Sequence, residues 1–373
     1  MSQWIKTKLG EIVILNYGKA LKAQDRNAGS IPVYSSGGLT GWHNKALINE
    51  QGIIIGRKGT VGKAYLTYGP FWCIDTAYYI LPNPSKYDFV FLFYLLKTLG
   101  LEELNEDSAV PGLNRDTAYS QEILLPSLPE QKAIASVLSS LDDKIDLLHR
   151  QNKTLESMAE TLFRQWFILD STGVSVSIDQ IIDFNPKRTL IKNQDATYLD
   201  MAGLSTVIFR ANGYYRRPFS SGTKFTKRDT LLARITPCLE NGKAAYIDFL
   251  DDNETGWGST EFIVMRPKKE IHPFISYIMC RNPDFKEYAE SCMEGSTGRQ
   301  RVNLDHLKKF NVNLPTEASL RIINELLDSF ESKLINNSKQ IDSLEKLRDT
   351  LLPKLMSGEV RVQYAEEAIA SVA

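Results

Sequence analysis

The sequence predicts an α+β fold built as a pseudo-two-fold tandem repeat: two similar domains with twisted β-sheets, separated by an antiparallel two-helix coiled coil. Three observations predict it: a long internal repeat, an apolar heptad in the kept part of each copy, and β-rich runs broken by turn residues elsewhere. Asn114-Arg115-Asp116 matches Asn303-Leu304-Asp305, and Leu125-Pro126 matches Leu314-Pro315, both at an offset of 189 residues. The offset holds through Ile134/Ile323, Leu141/Phe330, Gln151/Gln340 and Leu162/Leu351, whereas Leu9-Gly-Glu-Ile12 aligns with Ile178-Asp-Gln-Ile181 at an offset near 169. A closely kept segment beside a divergent one of unequal length suggests a common scaffold carrying two different readers.

The kept segments read as helices. Ile134, Leu141, Leu148, Leu155 and Leu162 recur every seven residues, with Leu138, Ile145, Asn152, Ala159 and Trp166 as the second series. The other copy gives Ile323, Phe330, Asn337, Leu344 and Leu351 beside Leu327, Leu334, Ile341, Arg348 and Leu355. Two apolar positions per heptad with charged flanks are a coiled-coil seam; a helix buried in an ordinary core is the alternative. Each helix is expected to start after a proline, Pro129 or Pro315, with Glu130 or Glu317 in its first turn. Some 39 residues would make a rod of about 58 Å.

Two such helices in one chain pair most simply with each other, antiparallel. If paired residue numbers add up to 489, nearly every layer is apolar, and the two seam asparagines, Asn152 and Asn337, face each other. A seam Asn fixes register, because any slip buries an amide without a partner. Leu141/Arg348 alone breaks the pattern, with the arginine expected to snorkel toward solvent.

The variable halves read as β-rich. Ile53-Ile54-Ile55, Ala64-Tyr65-Leu66 and Tyr78-Tyr79-Ile80-Leu81 are predicted strands in the first, and Thr230-Leu231-Leu232, Ala245-Tyr246-Ile247 and Phe262-Ile263-Val264-Met265 in the second. Ser35-Ser36-Gly37-Gly38, Gly56 to Thr60 and Gly256-Trp257-Gly258 read as glycine-rich connections, and helical stretches are expected near 87–104 and 273–292. The domain plan is 1–127, helix 128–168, 169–314, helix 315–358, and a tail 359–373.

Of 373 residues, 43% are apolar and 24% charged, which excludes a disordered or low-complexity chain. Forty-four basic against 45 acidic residues exclude a protein that coats nucleic acid or anionic membrane through global charge. The N-terminus has no apolar signal core, and no apolar run nears the ~20 residues needed to span a bilayer, so a cytoplasmic protein without a membrane segment is expected. Cys73, Cys238, Cys280 and Cys292 share no ligand spacing and read as buried thiols.

Basic residues nevertheless cluster locally. Between Ser205 and Lys243, eight of them (Arg210, Arg216, Arg217, Lys224, Lys227, Arg228, Arg234, Lys243) face only Asp229 and Glu240, with Tyr214, Tyr215 and Phe225 interleaved. A smaller set, His43, Lys45, Arg57, Lys58 and Lys63, accompanies Trp42 in the first half. Gly298 to Asn303, with Arg299 and Arg301, is a further contact loop, and Val110 to Arg115 is its less basic counterpart. Basic residues beside aromatics on such loops suit phosphate and base-edge contact; a solvated surface is the alternative for any single run.

Enzyme motifs fail on spacing. Gly56 to Ala64 has five residues between its outer glycines and Ala after the lysine, where a phosphate loop needs four and then Ser or Thr. Asn83-Pro84-Ser85-Lys86 lacks the second proline and the aromatic of an adenine-methyltransferase motif. Glu130-Gln131-Lys132 opens a helix rather than completing a nuclease site. His43, His149, His272 and His306 are scattered, so no metal or triad is expected.

These features resemble the specificity subunits of type I restriction–modification systems. Leu125-Pro-Ser-Leu-Pro-Glu-Gln-Lys132, leading into the first helix, resembles the family's first conserved region. Leu314-Pro315 with Glu317 is its second copy, without the Gln, and Leu351 to Glu359 is similar to the end of the second conserved region. Ile31 to Gly41 and Trp4 to Ile12 resemble segments of the family's target-recognition domains.

The resemblance implies that each globular half is a target-recognition domain for one half of a split, asymmetric double-stranded DNA site. The helix pair would set the spacing near one DNA turn and dock the methyltransferase (modification) subunits, joined by restriction motor–nuclease subunits. The chain itself would be non-catalytic and free of cofactor; S-adenosylmethionine, ATP and magnesium would belong to the partners. Candidate DNA contacts are Trp42, Lys45, Arg57, Lys58 and Lys63 in the first reader, and Arg216, Arg217, Lys224, Arg234, Lys243, Arg299 and Arg301 in the second. An orphan or cassette specificity chain, or a coiled-coil adaptor that binds no DNA, are the other readings.

Overall fold

The computed structural model describes residues 4–104, 112–170, 172–268, 270–296 and 298–365. Val110 and Pro111 of the first reader's candidate loop, and the tail from 366 onward, lie outside them. The chain divides into two compact units: Met1–Asp146 with Gln340–Ala373, and Leu147–Lys339. Each unit thus joins one reader to a stretch of both long helices, a partition that cuts across the linear plan expected from the sequence.

In the first unit, strand Ile5–Lys8 pairs antiparallel with Glu122–Leu125 and leads into the first long helix, Leu128–Phe163. Pro129 sits inside the first turn of that helix rather than ahead of it, where its missing N–H has no intrahelical acceptor to lose. The reader has two sheets beyond that strand pair. One runs in the order Asn16–Tyr17, Ala77–Ile80, Gly52–Gly56, Ala64–Thr67; the other runs Gly38–His43, Ile31–Ser35, Trp72–Cys73. Gly52–Gly56 is buried along its whole length, as a strand with an unbroken apolar run should be.

Helix Phe89–Thr98 is capped by Asp88, whose carboxylate accepts from Phe91 N. Gln131 locks this cap to the long helix: its Oε1 accepts from Asp88 N at 2.8 Å and its Nε2 donates to Pro126 O at 2.9 Å. The second copy has Leu320 at the matching place, buried in an apolar core, so each repeat fills this position by a different chemistry.

The seam residues Ile134, Leu138, Leu141, Ile145, Leu344, Leu351 and Leu355 are all buried. Arg348 does not snorkel: its Nη1 donates to Asp142 Oδ1 at 2.8 Å, and Asp142 also accepts from Tyr94 Oη at 2.7 Å. An acid one residue from the seam thus pairs the arginine at the helix surface.

In the second unit, Val174–Ser177 pairs with Asn311–Leu314 ahead of the second long helix, Glu317–Ser357. One sheet runs Ile182–Phe184, Phe262–Pro267, Thr230–Ala233, Ala244–Tyr246; the other runs Tyr215–Pro218, Asp195–Leu199, Thr255–Gly258, Thr223–Thr226. Gly256-Trp257-Gly258, expected as a connection, is therefore an inner strand; its glycines admit the Phe225 and Phe262 rings, which a Cβ would strike. The stretch near 273–292 is two helices, Phe274–Arg281 and Pro283–Ser291, broken where Asn282 caps the second and Pro283 enters its first turn.

The seam here is not a free-standing coiled coil. Ala159, Phe163, Phe167, Leu327 and Leu334 share one core with Ile178, Tyr246 and Phe274 of the reader. Phe163 and Phe167 lie off the heptad and widen the stripe, and the helix passes into a π-turn at Arg164–Leu169. At the end of this unit Asn337 Nδ2 donates to Asn152 Oδ1 at 2.8 Å, the register in which paired numbers add up to 489.

Strand register shows that both readers follow one plan. Leu9 N bonds Gln121 O as Ile178 N bonds Phe310 O. Val33 pairs Trp72 in parallel as Tyr198 pairs Trp257, and Gly56 pairs Ala77 as Ala233 pairs Phe262. The offset between copies is 169 at Leu9/Ile178, 165 at Val33/Tyr198, 177 at Gly56/Ala233, 185 at Trp72/Trp257 and 189 at Leu113/Val302.

Candidate nucleic-acid interface

The shared plan sorts the basic residues into those that both readers keep and those that only one has. Arg57 and Arg234 are equivalent, each directly following the buried central strand. Arg57 N donates to Thr76 O at 3.0 Å and Arg57 O accepts from Leu113 N at 2.9 Å; Arg234 repeats this with Glu261 O and Val302 N, both at 2.9 Å. Lys63 and Lys243 are equivalent too, their carbonyls accepting from Gly56 N and Ala233 N. Each follows a glycine at positive φ, Gly62 at 77° and Gly242 at 72°, a conformation that side-chain-bearing residues avoid.

The side chains at these places differ in freedom. The Arg57 guanidinium lies 4.9 Å over Tyr17 and donates to Asp75 O at 3.1 Å, while Arg115 covers the same tyrosine at 5.3 Å. Arg234 Nε donates to Val302 O at 3.1 Å, and Lys243 Nζ to Met201 O at 3.1 Å. Lys63, Lys58 and Lys45 are exposed.

A second basic surface lies on the reader sheet containing Tyr215–Pro218. Lys224, Trp257, Tyr198 and Tyr215 form one register row across its four strands. Arg217, two residues along the edge strand, lies over Tyr198 at 4.7 Å and Trp257 at 5.1 Å; Lys224 lies over Phe219 at 5.0 Å. Strand alternation turns the neighbouring Arg216 to the other face, where Asp195 Oδ2 at 2.8 Å and Glu254 Oε1 at 3.4 Å pair it.

In the first reader the matching strand Gly38–His43 holds Trp42, which is 53% exposed. His43 is buried instead, its Nδ1 accepting from Asn27 N at 3.0 Å, so it belongs to the packing and not to a basic surface. Arg299 is exposed in the loop before the second long helix, whereas Arg301 forms a two-pronged pair with Glu261.

Sequence reasoning missed Tyr17, Tyr198 and Trp257, the rings that complete these stacks, and placed Arg115 only at the end of the less basic contact loop. The tyrosines are brought in by strand pairing, which leaves no local signal.

His272 is not isolated, as its sequence position suggested. One of its ring nitrogens and carboxylate oxygens of Asp328 and Glu331 lie within 4.8 Å of one another. The Arg228 guanidinium joins them, donating to Glu331 and approaching Asp328 Oδ1 at 3.4 Å and His272 Nε2 at 3.1 Å, while Tyr246 Oη donates to Glu331 at 2.6 Å. One guanidinium thus already bonds both carboxylates, so Arg228, Tyr246, His272, Asp328 and Glu331 form an ion-pair network that is buried on the Glu331 side and open to solvent on the Asp328 side. Burial lowers the His272 pKa.

Two α+β modules built to one plan, each displaying basic and aromatic residues and each carried on two shared helices, define a two-headed recognition chain. The family model for the type I restriction modification DNA specificity domain matches residues 1–157 and 172–346, and the chain belongs to that family. It is 28% identical to the type I restriction enzyme MjaIX specificity subunit of Methanocaldococcus jannaschii over 319 residues, 73% of this chain and 69% of that one. It is 26% identical to the EcoEI specificity subunit of Escherichia coli over 204 residues, 51% of this chain but only 34% of that protein. The fold is similar to the crystal structure of a type I restriction–modification S subunit from M. genitalium, with a TM-score of 0.64, 19% identity and coverage of 95% and 96% of the two chains. Among the described residues, no helix is long and apolar enough to cross a membrane.

Proposed function

We propose that this chain is the DNA-specificity subunit of a type I restriction–modification complex, with each reader recognising one half of a bipartite, asymmetric double-stranded site. The observation that carries the reading is the equivalence of the two readers within a chain of the DNA-specificity family. One plan with different side chains suits two different half-sites of one duplex. The helix pair, held in register by Asn152 and Asn337, sets the gap between the half-sites and docks the methyltransferase subunits, and the motor–nuclease subunits join that assembly. The chain is non-catalytic: S-adenosylmethionine, ATP and magnesium act in the partners, in the cytoplasm.

The test is to co-express the chain with methyltransferase subunits of its own system and map methylated adenines genome-wide. Two short specified parts around an unspecified gap are expected. A contiguous motif would overturn the two-reader arrangement. No methylation from an assembled complex would point to an orphan or cassette chain, and salt-independent binding to a partner without any DNA selectivity to an adaptor.

A further inference from the structure

The equivalent strands of the two readers carry different residues over the same tryptophan. Ile31 pairs His43 where Ala196 pairs Arg217, and the parallel partners Trp72 and Trp257 are equivalent. His43 meets Trp72 edge-on at 5.6 Å between ring centres, and Arg217 lies 5.1 Å over Trp257. Basic residues kept in both readers, Arg57/Arg234 and Lys63/Lys243, suit what every duplex offers, its phosphates. A position that changes between readers while its support is kept suits what differs between half-sites, the bases.

We propose that Arg217 determines one base of the half-site read by the second domain, by donating to the O6/N7 edge of a guanine. This rests on the DNA-specificity reading above. Arg217 Cζ lies 4.7 Å from the Tyr198 ring centre and 5.1 Å from that of Trp257, two rings inclined at 60° to each other, so the cation is held beside the aromatic row of the sheet while its guanidinium carries the donor fork that a guanine edge requires. An arginine held by stacking loses less freedom when it forks onto a planar acceptor, and guanine presents two acceptors at that spacing in the major groove. Arg216, adjacent in sequence, is spent on Asp195 and Glu254 and lies on the other face. His43 is buried and engaged by Asn27 N, so the first reader has no fork at this place.

The experiment uses the assembled complex with Arg217→Ala and Arg217→Lys, and measures methylation of the cognate site against every single-base change. In both variants, preference at one G·C pair of one half-site is expected to fall by roughly 5- to 150-fold, the range of one bidentate contact. The other half-site should be unchanged. Lysine keeps a cation over the rings but has no fork, so Arg217→Lys decides the matter if the alanine variant assembles poorly. Unchanged preference at every base, or an equal loss on all sequences, would overturn the assignment while the bipartite motif of the unsubstituted chain stands. If that chain itself shows no bipartite motif, the specificity reading falls and this assignment with it.

Discussion

Asn337 and Asn152 meet across the two long helices, with Nδ2 of the first donating to Oδ1 of the second at 2.8 Å and both side chains buried. Ser338 Oγ accepts from Asn152 Nδ2 at 3.4 Å, while Asn337 Oδ1 is buried without a partner among the described residues. The pair is therefore a register device that sacrifices some stability. Asn337→Leu alone leaves the buried Asn152 Oδ1 without its donor and is expected to destabilise the second unit by ~1–3 kcal/mol. Replacing both by leucine should recover most of that loss, because no polar atom is then stranded. A double-mutant cycle in denaturant measures it, and additive losses would show that the amides do not act as a pair.

Glu156 gives the second unit a pH dependence. Burial pushes its carboxyl up to about 7, against the opposing hydrogen bond from Tyr277 Oη at 2.9 Å and the nearby Arg281 charge. The folded chain thus holds a proton that the unfolded chain releases near 4.5. The associated stability is complete below about pH 4.5 and is lost as pH rises through 7, amounting to about 3 kcal/mol across that window. Glu156→Gln should abolish this contribution, so the difference in stability between variant and parent should grow in the variant's favour from pH 5 to pH 8. A constant difference would show that the carboxyl does not titrate there.

Asp142 joins Arg348 of the second helix to Tyr94 of the first reader. Asp142→Asn removes one of the two carboxylates that pair the half-buried Arg348 guanidinium, Asp349 being the other, and is expected to lower stability by ~1–3 kcal/mol, whereas Tyr94→Phe, which removes one neutral donor, should cost about 1 kcal/mol. Arg348→Leu leaves the Asp142 carboxylate without its cation but restores an apolar layer opposite Leu141, and that carboxylate keeps solvent contact and the Tyr94 hydrogen bond, so its cost should be smaller than that of Asp142→Asn. Chemical denaturation ranks the three, and an Arg348→Leu loss larger than that of Asp142→Asn would refute the order.

What the sequence made legible follows from how locally each feature is encoded. The helix pair and its register could be read because heptads and two asparagines in seam positions are periodic signals within single segments. The repeat offset near 169 at the domain start was legible for the same reason, and Leu9 and Ile178 make the same backbone hydrogen bond. The equivalence of Arg57 with Arg234 was hidden because loops of different length move the offset from 169 through 165 and 177 before it settles at 189. The state of each arginine was hidden too. Arg216 and Arg217 are neighbours in sequence and differ only in the face to which a strand turns them, one toward two carboxylates and the other onto two rings. The ending of the second-unit seam inside the reader core was legible only in part, through the off-heptad Phe163 and Phe167.

The retained lysines provide a prediction opposite in kind to that for Arg217. Lys63 and Lys243 stand at one place in both readers, after the same positive-φ glycine, although the loops before them differ in length. A cation kept by readers of different sequences is matched to phosphate, and each phosphate it neutralises adds about 0.9 to the slope of log affinity against log salt. Lys63→Ala and Lys243→Ala should each weaken binding of the assembled complex to cognate and one-base-changed sites by the same factor, and make the salt slope shallower by about 0.9. The methylated motif should keep every specified base in both variants. A change of preference at any base in Lys243→Ala would place that lysine on a base edge and remove the distinction between retained and divergent positions.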